Sequence, residues 1–271
     1  MNGAIIGDIV GSRFEFHNIK SKEFELFHRN CTFTDDTVMT VAIGKALSES
    51  KKNGYTDLED QAVFWMHELG KRYPRRGYGG RFRKWLLNGL TEPYGSYGNG
   101  SGMRTSACAR YADSLEEALE LAKRCAAVTH NHPEGIKGAE AITACIYLAR
   151  IQKSKDEIRN YVKERFYPLD RTLDEIRPDY TFDETCQGSV PEAIECFLES
   201  VSFEDCIRNA ISIGGDSDTI AAMAGSIAEA FYGVPADMKE KADGYLDDWL
   251  KETICAIMDT GGKDNDPRKD E

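Results

Sequence analysis

A chain of 271 residues is long enough to bury a sizeable core, and its formal net charge of −12, from 46 acidic against 34 basic residues, excludes the clustered basic face that broad nucleic-acid binding needs. No stretch reaches the roughly 20 apolar residues of a membrane span, and no basic-then-apolar leader opens the chain, so a cytoplasmic monomer without membrane contact is expected. Eight scattered cysteines with no C-x-x-C pair read as buried free thiols rather than a zinc site, despite the even spacing of Cys186, Cys196 and Cys206.

The first informative segment is G-A-I-I-G-D-I-V-G-S-R-F-E at 3–15. On a helix, Ile5, Ile6, Ile9 and Val10 share one face, and Gly7, Asp8 and Gly11 the opposite one, where Glu15 would rejoin Asp8. Glycines inside a helix cost roughly 1 kcal/mol each relative to alanine, so they point to close approach of a ligand or of another backbone. Tight helix packing with solvated carboxylates accounts for the segment equally well.

At 33–43, a polar cluster opens an apolar helix. Thr34 or Asp35 is placed to cap it, and acidic residues in a first turn complement the helix dipole. Adjacent Asp35 and Asp36, bracketed by hydroxyls, also supply the hard oxygen ligands that magnesium, manganese or calcium prefer. Next comes a basic stretch with interleaved aromatics from Arg72 to Lys84. It reads either as a solvated loop or as part of a site entrance that attracts phosphate and repels a guanidinium.

The glycine-rich segment 94–104 offers backbone N–H groups for a phosphate, but its spacing fits neither a P-loop nor a dinucleotide fingerprint, and a plain turn remains open. In T-H-N-H-P-E-G at 129–135, Pro133 breaks the element, so His130 is better read as a hydrogen-bonding group than as a metal ligand. At 214–219, G-G-D-S-D-T precedes a helix rich in Ala, Gly and Ser that stops at Gly233 and Pro235, a composition suited to a buried central position. If the two Asp-rich helix starts converge, their four carboxylates repel one another, and two divalent cations would neutralise them.

Apolar residues recur at helical spacing throughout, as in Ala62-Val63-Trp65-Met66-Leu69, Leu115-Ala118-Leu119-Ala122 and Ile194-Phe197-Leu198-Val201, and no run alternates as a strand would. The fold class expected is therefore all-α, with glycine-rich loops at 77–80 and 95–102. The absence of a Pro/Ser-rich linker favours one domain over 1–260, followed by a loose polar tail at 261–271.

Taken together, G-A-I-I-G-D-I-V-G-S-R-F-E, F-T-D-D-T at 33–37, G-N-G-S-G-M-R at 98–104, T-H-N-H-P-E-G and G-G-D-S-D-T resemble the ordered motif set of the ADP-ribosylglycohydrolases. The resemblance runs from about residue 3 to 235, and the paired Asp-rich motifs make it specific. It implies a single-domain orthogonal helical bundle that cleaves the bond between C1″ of ADP-ribose and an acceptor, a protein side chain or a small molecule, with two magnesium or manganese ions. By motif position, Thr34, Asp35, Asp36, Asp216, Asp218 and Thr219 would be the metal ligands. Glu15 would be the catalytic acid or base, or a gate. Gly98, Asn99, Gly100 and Ser101 would bind the diphosphate, and His130 the nucleotide or ribose. Gly102 stands where relatives often carry alanine. Two other classes stay open: a dinuclear phosphohydrolase acting on nucleotides, and a non-catalytic ADP-ribose-binding relative.

Overall fold

In the computed structural model, which describes residues 1–261, the regular elements are helices joined by turns, and among the described residues the one extended pairing is an isolated bridge between Gly98 and Thr185. In chain order they are α1 (Asn2–Gly11), α2 (Asp35–Ser50), α3 (Leu58–Arg72), α4 (Gly80–Leu87), α5 (Gly100–Met103), α6 (Ser106–Tyr111), α7 (Leu115–Ala127) and α8 (Pro133–Arg150). There follow α9 (Lys155–Arg165), α10 (Leu173–Ile176), α11 (Cys186–Leu198), α12 (Phe203–Ser212), α13 (Ser217–Tyr232), α14 (Ala236–Asp243) and α15 (Asp248–Thr260). The expected all-α orthogonal helical bundle is what forms.

The centre of the bundle is α13, whose residues from Ser217 to Ala228 are all buried and which is surrounded by α1, α8, α11 and α12. Its small side chains make this possible. A Cβ added to Gly3 or Gly7 would lie 2.1 Å from the carbonyl oxygens of Gly225 or Ala221, and one on Gly11 would lie 2.4 Å from Asp218 Cα. Close backbone approach is therefore what the α1 glycines serve, and Asp8, which they flank, is fully buried rather than solvated. The same contact brings the C-terminal end of α1 against the N-terminal end of α13.

Helix α2 begins at Thr34, whose hydroxyl accepts from Asp36 N–H at 3.3 Å, and it packs between α1, α3, α6 and α15. Its Val38, Met39, Val41, Ala42 and Ile43 are fully buried, each large side chain contributing about 1.5–3 kcal/mol. The centre of the chain closes over α13 through α8 and α11, with α7 packed on α8.

Several boundaries differ from the sequence reading. Helix α1 stops at Gly11, with the Ser12 hydroxyl donating to Ile9 O, so Glu15 stands in the following turn instead of one helical face with Asp8. The glycine-rich loop at 95–102 is cut short by α5, and the one at 77–80 by α4, which starts at Gly80. Helix α11 ends before Val201, which is 83% exposed. Seven cysteines are buried free thiols as expected, but Cys255 is exposed. Of the tail expected at 261–271, all but Gly261 lies outside the described residues.

Candidate active site

The two Asp-rich helix starts meet at the base of a cavity. Asp8 anchors the start of α2 by accepting from Thr34 N–H at 2.9 Å, Thr34 Oγ1 at 2.7 Å, Thr37 N–H at 3.0 Å and the Thr37 hydroxyl. From the other end of the chain, Thr219 Oγ1 donates to Asp36 Oδ2 at 3.2 Å and Thr219 N–H to Asp218 Oδ1 at 3.0 Å. Carboxylate oxygens of Asp8, Asp36 and Asp218 all lie within 4.8 Å of one another, and so do those of Glu15, Asp216 and Asp218. Asp218 thus belongs to two adjoining oxygen triads.

Electrostatics sharpen the picture. Burial pushes the Asp35, Asp36 and Asp218 carboxyls well above the usual range, and the charges of neighbouring aspartates push them further. Asp216 is raised by burial, against the hydrogen bond from Asn99 Nδ2 at 2.7 Å, and Asp8 by burial against its four donors. Glu15 is pushed up to about 7 by burial, then by Asp216 and Asp8. Buried carboxylates held this close are compensated either by protons or by cations. Asp36 Oδ1 is a buried acceptor without a hydrogen-bond partner. An all-oxygen donor set with an orphaned oxygen fits hard divalent cations such as magnesium or manganese.

The cavity above this floor is lined by Asp35, Gly98, Asn99, Gly100, His130 and Arg104, among others. Asp35 is fixed through its N–H, which donates to Arg76 O at 2.6 Å, and it stands in neither triad. Ser101 is turned inward, donating to Gly135 O at 2.7 Å, and the Asn99 N–H is taken by Glu184 O at 2.8 Å. Gly98 N–H donates to Ser96 Oγ at 3.2 Å. The 98–101 turn is therefore pinned from behind, with Asn99 serving Asp216. His130 packs against this turn: a Cβ on Gly100 would stand 3.4 Å from its Nε2. Burial, with Arg104 and Arg81, holds His130 well below the ordinary histidine range, so it is neutral, and Thr129 Oγ1 lies 2.8 Å from its Nδ1.

The basic stretch does not form one entrance. Arg76 lies over the Phe33 ring and donates to Phe33 O, Arg72 lies over Trp249, and it is Arg81 that lines the cavity, donating to Tyr94 O. Other lining residues that are exposed, Phe182 and Glu184, mark the mouth, and Phe182 stacks on Phe16 next to Glu15. Sequence reasoning left Asp8, Glu184 and Phe182 unassigned. For Asp8 the signal was present, a carboxylate between two helix glycines; for the other two there was none.

A model of the ADP-ribosylglycohydrolase family matches residues 1–266. The chain belongs to this family. ADP-ribosylglycohydrolases of similar sequence include the ADP-ribosylhydrolase ARH3 of Xenopus tropicalis, 28% identical with 91% of each chain covered. Another is the ADP-ribosyl-(dinitrogen reductase) glycohydrolase of Rhodospirillum rubrum, 27% identical over 97% of this chain and 95% of that one. A third is the ADP-ribosylarginine hydrolase Tri1 of Pseudomonas putida, 26% identical over 88% and 72%. A solved ADP-ribosylglycohydrolase-related protein complex shares the fold, with a TM-score of 0.69 at 22% identity and coverage of 96% and 95%. Membership makes the chain a glycosyl-bond hydrolase of ADP-ribose linkages. The family is metal-dependent, and the two triads can hold ions. No helix among the described residues is long and apolar enough to cross a membrane.

Proposed function

We propose that the chain hydrolyses the bond between C1″ of ADP-ribose and its acceptor in the cavity above the two triads, with two magnesium or manganese ions held there. The observation that carries this reading is Asp218 shared by both triads, an arrangement suited to two neighbouring cations. Asp8, Asp36, Asp216, Asp218 and Glu15 would supply carboxylate oxygens, and the Thr34 and Thr219 hydroxyls stand beside them. When bound, divalent ions orient ribose hydroxyls and acidify water.

The chain's own groups do the rest. Glu15, which lines the cavity beside Asp216 and Asp218, takes a proton from the attacking water. The water oxygen bonds C1″ as the C1″–acceptor bond breaks, and the acceptor leaves with the proton that Glu15 took from the water, which returns Glu15 to its starting state. The surrounding carboxylates stabilise the positive charge that develops at C1″. At the other end of the cavity, the charges of Arg81 and Arg104 and neutral His130 favour the diphosphate and its ribose.

Charge in the cavity is divided. Arginines stand at the His130 end, whereas Glu15 and Glu184 flank Asp216. An acidic acceptor end would admit a guanidinium as well as a neutral acceptor, with Arg81 of the basic stretch lining the opposite end. Product analysis tests the reaction: free ADP-ribose released with magnesium or manganese supports it, whereas AMP or phosphate would make the chain a nucleotide phosphohydrolase.

A further inference from the structure

Asp216 is presented by a turn that opens on two glycines and within which Ser217 Oγ donates to Gly215 O at 3.3 Å. Gly214 and Gly215 have φ of +73° and +74°, in the left-handed region where glycine carries little steric cost. The turn is wedged from one side by Tyr180, whose Cε1 would lie 2.3 Å from a Cβ on Gly215. On the other side stands Asn18, which sequence reasoning did not single out. Its Oδ1 accepts from Gly215 N–H at 2.8 Å and its Nδ2 donates to Gly215 O at 2.8 Å, so both polar groups of that one peptide-turn residue are read by one amide. This reciprocal pairing also fixes which way round the amide stands.

The same Nδ2 is within 2.6 Å of Phe14 O and 3.1 Å of Glu15 O. One side chain therefore ties the backbone of Glu15 to the backbone preceding Asp216, Asn18 and Gly215 being 197 residues apart in sequence. Lys20 adds a second stitch two residues on, donating to Ile213 O and Tyr180 O, both at 2.6 Å. Asn18 is exposed, so its amide contributes no core packing to the bundle.

We propose that Asn18 is a positioning residue that sets the distance between Glu15 and Asp216, and so the geometry of the Glu15–Asp216–Asp218 triad. This rests on the metal-centre reading above. Ligand-bearing loops need such outer partners because a carboxylate displaced by a fraction of an ångström no longer meets a cation's short bond length. Asn18 touches neither substrate nor cation in this role. It acts through two backbones.

The test is Mn²⁺ binding to the metal-stripped full chain, measured by calorimetry for wild type, Asn18→Ala and Asn18→Asp, beside thermal unfolding of each in chelator. Aspartate keeps the acceptor for Gly215 N–H but loses the donor to the three carbonyls, so both variants should fail alike. Loss of such an outer partner costs about 10–100-fold in metal affinity. The expected result is a weakening of that size at one of two Mn²⁺ positions, with metal-free melting at the wild-type temperature. Unchanged affinity in both variants would overturn the role of Asn18, as would a melting temperature that falls in step with affinity, the mark of a merely structural contact. If wild type itself takes up no Mn²⁺, the metal-centre reading falls, and this inference with it.

Discussion

Gly7 of α1 lies directly against Ala221 of α13, so close that a Cβ on Gly7 would sit 2.1 Å from the Ala221 carbonyl oxygen. Because Asp8 is the next residue, this contact sets how far Asp8 stands from Asp218. The change Gly7→Ala should therefore lower stability by about 1–3 kcal/mol through overpacking. It should also weaken divalent-ion uptake. Denaturant unfolding in chelator measures the first and Mn²⁺ titration the second; unaltered stability would mean that the helices separate freely.

Asp218 belongs to both oxygen triads, whereas Asp35 belongs to neither. Asp218→Ala is expected to remove both ions and abolish turnover with the helical circular-dichroism signal intact. Stoichiometry by titration and inductively coupled plasma analysis checks this. A variant that still binds two ions would return Asp218 to helix capping alone.

The pH dependence of the metal-stripped protein has a definite sign. Asp35, Asp36, Asp216, Asp218, Asp8 and Glu15 all have carboxyls raised above their ordinary values of 3.8 for Asp and 4.5 for Glu. The folded state then binds more protons than the unfolded one, so stability is fully present below about pH 4 and falls as pH rises toward 7 and beyond. Divalent ions replace those protons, so the melting-temperature gain on adding Mg²⁺ or Mn²⁺ should grow across that range and proton release should accompany binding. Thermal scans with and without ions at several pH values read this directly. A metal-induced gain independent of pH would show that the ions bind elsewhere.

Replacing Glu15 with glutamine keeps its shape and removes its basicity. General acid–base groups contribute about 10²–10⁴-fold, and kcat should fall by that order with KM changed far less. Near-normal kcat in Glu15→Gln would make the residue a gate.

The acidic mouth predicts that ADP-ribosyl-arginine is cleaved at a rate comparable to O-linked conjugates, with Glu184→Gln lowering kcat/KM for the guanidinium acceptor selectively. Side-by-side kcat/KM values on both conjugates decide. No loss on either would leave Glu184 with its backbone role of accepting from Asn99 N–H.

Helices, caps and the convergence of the Asp-rich segments were legible because each depends on local chemistry: Thr34 caps α2, and the Ala/Gly/Ser composition of α13 fits its central place. Glu15 reached the expected neighbours by another route, through a turn after Gly11, since a helix end set by tertiary contacts leaves little local trace. Side-chain direction was the least legible. Nothing in G-N-G-S-G distinguishes Asn99, aimed at Asp216, from Ser101, aimed at Gly135, because the partners come from 117 and 34 residues away. The basic stretch failed as a unit for the same reason: Arg72, Arg76 and Arg81 each found a different aromatic ring.

The hydrogen bond from Thr219 to Asp36 spans 183 residues. During synthesis, the carboxylates of α1 and α2 are complete long before their partners in α13 leave the ribosome. A nascent chain of some two hundred residues therefore carries Asp8, Glu15 and Asp36 without Asp216 and Asp218, with α1's glycine face uncovered until α13 arrives. Completion of the two triads is consequently a late event in the life of each molecule, and cleavage anywhere that frees α13 from the rest discards Asp216, Asp218 and the bundle's centre at one stroke.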